Sequence, residues 1–104
     1  MNKIRLAGAV LALVSSASLA MAQSAGDLYK KHCAMCHGAT GAADSGAGKS
    51  MKVHPFKAPD QMALSDAAIF DTTKKGKGKM PGYASKLSDS QIKEVVAYIR
   101  TLQK

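Results

Sequence analysis

Two thiols and an imidazole fall within five consecutive positions, Cys33-Ala34-Met35-Cys36-His37, and no other feature of this 104-residue chain restricts its possible folds as much. Cys-x-x-Cys-His is the spacing used for covalent c-type haem attachment. Cysteines three residues apart on a helical turn share one side, so each sulfur can add to one of two vinyl groups on a single porphyrin edge. His37 follows directly, and its imidazole can reach under the ring to ligate iron. The other ring nitrogen is then expected to donate to a backbone carbonyl, which fixes the tautomer. Pro55 and Pro59 lie near candidate acceptors, and the choice between them stays open.

Three other uses of the motif are weaker. A thioredoxin-like redox pair needs a βαβ framework, and strand signals are nearly absent. A zinc site wants four ligands, yet beyond the two cysteines only His32, His37 and His54 remain, with no second Cys-x-x-Cys and no His-x-x-x-His pair. A disulfide would close a very small loop and stabilise little.

The N-terminal segment indicates a compartment. Lys3 and Arg5 precede an unbroken apolar run from Leu6 to Val14, followed by small residues ending Ala20-Met21-Ala22. This pattern predicts a secretory signal peptide over residues 1–22, with cleavage before Gln23. As a retained anchor the run would be too short, since a spanning helix needs roughly 20 apolar residues. The expectation is a soluble protein of the bacterial periplasm, with residues 23–104 forming one domain.

Only 19 large apolar residues (Leu, Ile, Val, Met, Phe, Tyr) remain in residues 23–104. Domains this small usually need a staple. A covalently held haem is a large apolar plate for the chain to wrap, so the unligated chain is expected to fold poorly. The organisation reads as all-α, with three main helices separated by two glycine-rich loops. The first helix starts near Ser24, with Asp27 three residues on, and carries Leu28, Tyr29 and Cys33 at helical spacing. Gly38, Thr40 and Gly41 break that periodicity, and Ala42 to Gly48 reads as a small, flexible turn-around.

Leu64-Ser65-Asp66 and Leu87-Ser88-Asp89 announce the second and third helices in the same way. In each, serine caps free amides, aspartate favours the positive helix end, and Leu64 with Ile69 or Leu87 with Ile92 can form a hydrophobic staple. Gln91 completes a capping box. Ile92, Val95, Val96, Ile99 and Leu102 form the clearest apolar stripe in the chain.

Taken together, these residues resemble a small class I c-type cytochrome. The resemblance rests on Tyr29 four residues before Cys33, the Cys33 to His37 motif, Gly38, the run Gly78-Lys79-Met80-Pro81-Gly82-Tyr83 and the closing Val95-Val96-Ala97-Tyr98-Ile99, and it spans residues 24–102. It implies the cytochrome c fold wrapped around one haem c. First and last helices would cross at Tyr29 and Tyr98, with Ala25 and Gly26 supplying small side chains there, and iron would be held by histidine and methionine. The chain departs from the pattern in lacking tryptophan and in carrying His54 in a loop.

Among the methionines, Met35 lies between the cysteines and is too local to reach the opposite haem face, and Met51 and Met62 suit core packing. Met80 sits in a loop where Gly76, Gly78 and Gly82 let the backbone approach closely and Pro81 prevents helix formation. Met80 is therefore the expected second axial ligand, with His54 or an open site as alternatives. Cys33 and Cys36 are the expected tethers, and His37 and Met80 the axial pair. Such a pair raises the reduction potential and leaves no position for oxygen or peroxide. The expected function is one-electron transfer without catalysis. An open sixth site would instead indicate a ligand-binding or peroxidase-like haem protein.

The chain carries a formal charge of +8, and Lys74, Lys75, Lys77 and Lys79 cluster before Met80. These lysines either keep a loop solvated or steer docking onto acidic surfaces of redox proteins. Donors and acceptors among membrane-bound redox complexes, met transiently by a monomer, fit the resemblance. Nucleic acid does not, because the basic residues lack an interleaved aromatic platform. No phosphate-binding loop and no nucleophilic Ser-His-carboxylate set is present.

Overall fold

The computed structural model describes residues 25–104. The chain is helical from residue 25 through residue 32 (α1). It then forms α2 (Ala34–His37), α3 (Gly46–Ser50), α4 (Pro59–Met62), α5 (Asp66–Lys75) and α6 (Asp89–Leu102). Among the described residues the one β-type pairing is an isolated bridge between Lys77 and Met80, so the all-α expectation holds.

The caps predicted at Ser65 and Ser88 form. The Ser65 hydroxyl accepts from the Ala68 amide at 3.1 Å, and that of Ser88 accepts from Gln91 at 3.1 Å. The Gln91 side chain returns a bond from the Ser88 amide at 2.9 Å, which closes the capping box and satisfies two helix-end donors together. The cap expected at Ser24 and the segment 1–22 lie outside the described residues.

The stripe of α6 is the floor of the core: Ile92, Val95, Val96 and Ile99 are all buried. α1 crosses it where Tyr29 meets Tyr98, with ring centroids 5.1 Å apart and planes tilted by 44°. Tyr29 is wholly buried, and its hydroxyl donates to the Gly38 carbonyl at 2.6 Å. Burial therefore leaves no unpaired polar atom on that side chain. At Gly26 a Cβ would lie 3.5 Å from the Tyr98 ring, an ordinary contact, so the crossing needs a small residue there but not glycine itself. Arg100 of α6 reaches the start of α5, bonding Asp66 at 2.8 Å and the Leu64 carbonyl at 2.6 Å.

Three details differ from the sequence reading. Ala42 to Gly48 is not simply a flexible turn. Ser45 caps α3 through the Gly48 amide at 3.0 Å, and its hydroxyl donates to the Met35 carbonyl at 2.7 Å. One hydroxyl thus serves the start of α3 and the end of α2, and that pairing orders the segment. A further short helix, α4, begins at Pro59, whose fixed φ suits a first helical turn. Met62 is not core, being 47% exposed.

Candidate functional site

Cys33 lies at the junction of α1 and α2. Its amide bonds the Tyr29 carbonyl at 2.8 Å, and its own carbonyl receives the His37 amide at 3.0 Å, so the helical hydrogen bonds run on through the motif. No disulfide joins Cys33 to Cys36. The Cys33 thiol is buried, and burial pushes its pKa up to about 11. Cys36 is half-buried, with its carbonyl close against Gly48 of α3.

The His37 imidazole is held by an aromatic ring. Phe56 stacks on it with centroids 4.7 Å apart and planes within 13°. Phe56 is fixed by its amide bonding the Gly41 carbonyl at 2.9 Å and by the Gln103 side chain donating to its carbonyl at 3.0 Å. His37 Nδ1 is buried without a hydrogen-bond partner. No carbonyl near Pro55 or Pro59 therefore accepts from this ring in the structure, and the contact that restrains its plane is the Phe56 stack on its face. Desolvation lowers the His37 pKa, favouring the neutral imidazole that a metal requires.

Met80 arrives on a separate, tight loop. Lys77 and Met80 exchange both amide-to-carbonyl bonds at 3.0 Å, with Gly78 between them at a φ of 58°. Gly76 adopts φ 81° and ψ 170°, a region open essentially to glycine alone. A Cβ at Gly76 would lie 2.7 Å from the Met80 carbonyl oxygen and from the Gly82 nitrogen, and one at Gly82 would meet the end of α5 just as closely. The two ends of the loop pass so near each other that neither position has room for a side chain. The outgoing strand of the loop is tied back to α5 by Tyr83 N to Thr73 O at 3.0 Å and Ala84 N to Lys74 O at 3.2 Å.

Cys33, His37 and Met80 line one cleft. Leu64, Ile69, Val95 and Ile99 give it apolar walls. Cys36 is not among the lining residues. His54 stands apart: 63% exposed, it pairs with Asp60 at 2.7 Å. The Asp60 carboxyl is held below its ordinary range first by the Gln61 hydrogen bond and then by that of His54. Met35 is 78% exposed.

The donor set suits a haem better than a bare ion. The Cys33 thiol, a buried imidazole and a thioether face apolar walls, with a second thiol three residues from the first, and no cluster of three or more His, Cys, Asp or Glu occurs among the described residues. The sequence reading missed Gln61, Thr72, Thr73 and Gln103 as lining residues. Thr72 and Thr73 stand three and four positions after Ile69, so helical periodicity could have placed them on its face. The buried Thr73 hydroxyl satisfies itself on the Ile69 carbonyl at 2.8 Å. Nothing local marks Gln103, whose role is set by a loop 47 positions away.

Comparison with known proteins points the same way. The family described as cytochrome c oxidase, cbb3-type, subunit III matches residues 20–99. The chain is 34% identical to cytochrome c6 of Leptolyngbya boryana over 78 residues, covering 75% of this chain and 88% of that one. It is 33% identical to cytochrome c-551 of Halorhodospira halochloris, covering 64% of this chain and 77% of the relative. Among solved structures, one described as KustC0563 c-type cytochrome superposes with a TM-score of 0.69 at 27% identity, covering 76% of this chain and 96% of that one. No described helix is long and apolar enough to cross a membrane.

Proposed function

This chain belongs to the c-type cytochromes and carries one electron at a time on a single covalently bound haem c; from that premise we propose that Cys33 and Cys36 tether the haem and that His37 and Met80 ligate its iron. Haem c, when bound, supplies a reversible one-electron couple at iron. Everything else is the protein's part. Burial keeps His37 neutral and available as a ligand, with Phe56 setting its plane. Ile69, Val95 and Ile99 exclude water from the cleft, which favours the less charged reduced state. A histidine and methionine pair raises the potential and fills both axial positions, so the protein relays electrons rather than catalysing a reaction.

The observation that supports this reading is the cleft on which Cys33 and His37 of one helical segment and Met80 of a distant loop converge. The pairing of His54 with Asp60 at the surface speaks for Met80 as the second ligand. Residues 1–22 act as a cleaved export signal and residues 23–104 as a soluble periplasmic domain within a respiratory chain. The partners are redox proteins, met through the lysines around Met80. Lys77 and Lys79 precede it in the turn and are exposed, while Lys74 is partly engaged by Asp89 at 3.1 Å.

The test is the ferric spectrum of the mature holoprotein, followed by carbon monoxide after reduction. The expected result is the weak far-red band by which methionine-iron bonding is read, and no carbon monoxide shift. Its loss in Met80→Ala, with carbon monoxide now binding, would fix the ligand. Ready binding of carbon monoxide to the unmodified protein would instead move the function to ligand-binding or peroxidatic chemistry.

A further inference from the structure

The methionine loop is fixed to α5 by main-chain bonds, but what fixes it to the cysteine-bearing helix is one side chain. The Tyr83 hydroxyl donates to the His32 carbonyl at 2.8 Å, spanning 51 positions of sequence. Its ring meets the His32 imidazole edge-on, with centroids 5.6 Å apart. At the main chain, Tyr83 donates to Thr73 at 3.0 Å and accepts from the Leu87 amide at 2.9 Å. One residue therefore touches α1, α5 and the approach to α6. It stands three positions after Met80 and, through the His32 carbonyl, is one residue from Cys33.

We propose that Tyr83 is a positioning residue for Met80: its hydroxyl ties the methionine loop to the cysteine helix and keeps the thioether on the cleft. The inference rests on reading Met80 as an iron ligand. The physical case is the loop itself. Gly76, Gly78 and Gly82 give its backbone more conformations to lose than other residues would, so the methionine-on arrangement depends on its anchors. Displacement of Met80 is then a two-state equilibrium. Any external ligand that takes its place reads the population of the displaced state. Burial holds the Tyr83 hydroxyl above the ordinary tyrosine range, so it remains a donor through neutral pH.

The experiment is a titration of the ferric holoprotein with imidazole, comparing Tyr83→Phe, Ile92→Val and Met80→Ala with the unmodified chain. Tyr83→Phe keeps the ring and removes only the bond. It is expected to bind imidazole about five-fold more tightly and to show a weakened far-red band, the change that loss of one hydrogen bond of ordinary net strength produces. Ile92→Val, a packing change in the buried face of α6, should lower the unfolding midpoint and leave imidazole affinity alone. The proposal is overturned if Tyr83→Phe binds imidazole like the unmodified protein. It is also overturned if Ile92→Val raises affinity as much for the same loss of stability, which would make the tyrosine merely structural. If Met80→Ala binds no more tightly than the unmodified protein, the ligand assignment itself falls and the proposal with it. If Met80→Ala alone responds, only the role of Tyr83 falls.

Discussion

The cysteine-histidine segment and the methionine loop bring donors to one cleft by opposite means. The first is nearly self-sufficient. Cys33, Cys36 and His37 are placed by consecutive helical hydrogen bonds within α1 and α2, and neighbouring residues adjust only the plane of the imidazole. The second has no regular element of its own beyond a single bridge. Met80 is held by two glycines packed against each other's backbone, by bonds to Thr73 and Lys74, and by Tyr83 reaching across to His32. A helical ligand tolerates changes in its surroundings, whereas a loop ligand inherits the stability of everything that pins the loop.

The largest expected break in this comparison comes from the helical side. Cys33→Ala with Cys36→Ala should abolish covalent attachment, so that haem extracts into acidified organic solvent and leaves colourless protein. Retention of haem would refute the tether assignment.

Acid titration of the holoprotein probes the same side. The His37 pKa is depressed by burial, so its contribution to stability is complete above the ordinary imidazole value of 6.5 and is lost as pH falls through the folded value. The low-spin ferric spectrum should therefore hold down to pH 6.5 and disappear only below it. Disappearance above that pH would argue against a desolvated histidine ligand.

On the loop side, Gly76→Ala should destabilise by about 2 kcal/mol or more, because it combines a backbone region reserved for glycine with a Cβ driven into Gly82. It should weaken the far-red band as well. Gly78→Ala meets no atom within 4 Å and carries only the cost of its φ of 58°, about 1 kcal/mol. Equal effects of the two alanines would contradict the crossing argument. The smallest effect is remote from both proposed ligands. Ser88→Ala removes the capping box of α6, should cost about 1 kcal/mol and lower the melting temperature by roughly 4–8 °C, and should leave the spectrum unchanged.

Much of the fold was legible because its signals are local. Serine three positions before a helix donor, and apolar residues every three or four positions, act over distances that neighbouring residues span. For that reason the two caps and the buried stripe of α6 appear where the pattern put them. The short α3 escaped notice because Gly46-Ala47-Gly48 has poor helix propensity, and the Ser45 bonds that stabilise it involve the main chain of Met35, ten positions back. Met62 misled for the converse reason, since an apolar side chain carries no mark of whether its helix turns it inward.

The residues alone marked the candidate donors. Two thiols and an imidazole at fixed spacing, and a thioether between glycines and proline, name the donors because donor identity belongs to the side chain. Tertiary structure decided which donors meet and what surrounds them. His54 was turned out to pair with Asp60, Phe56 was stacked on the face of the His37 ring, and Tyr83 joined two segments 51 positions apart. These outcomes depend on competition among non-local contacts, each only marginally favourable until the apolar core fixes the helices together, and no stretch of sequence carries that balance by itself.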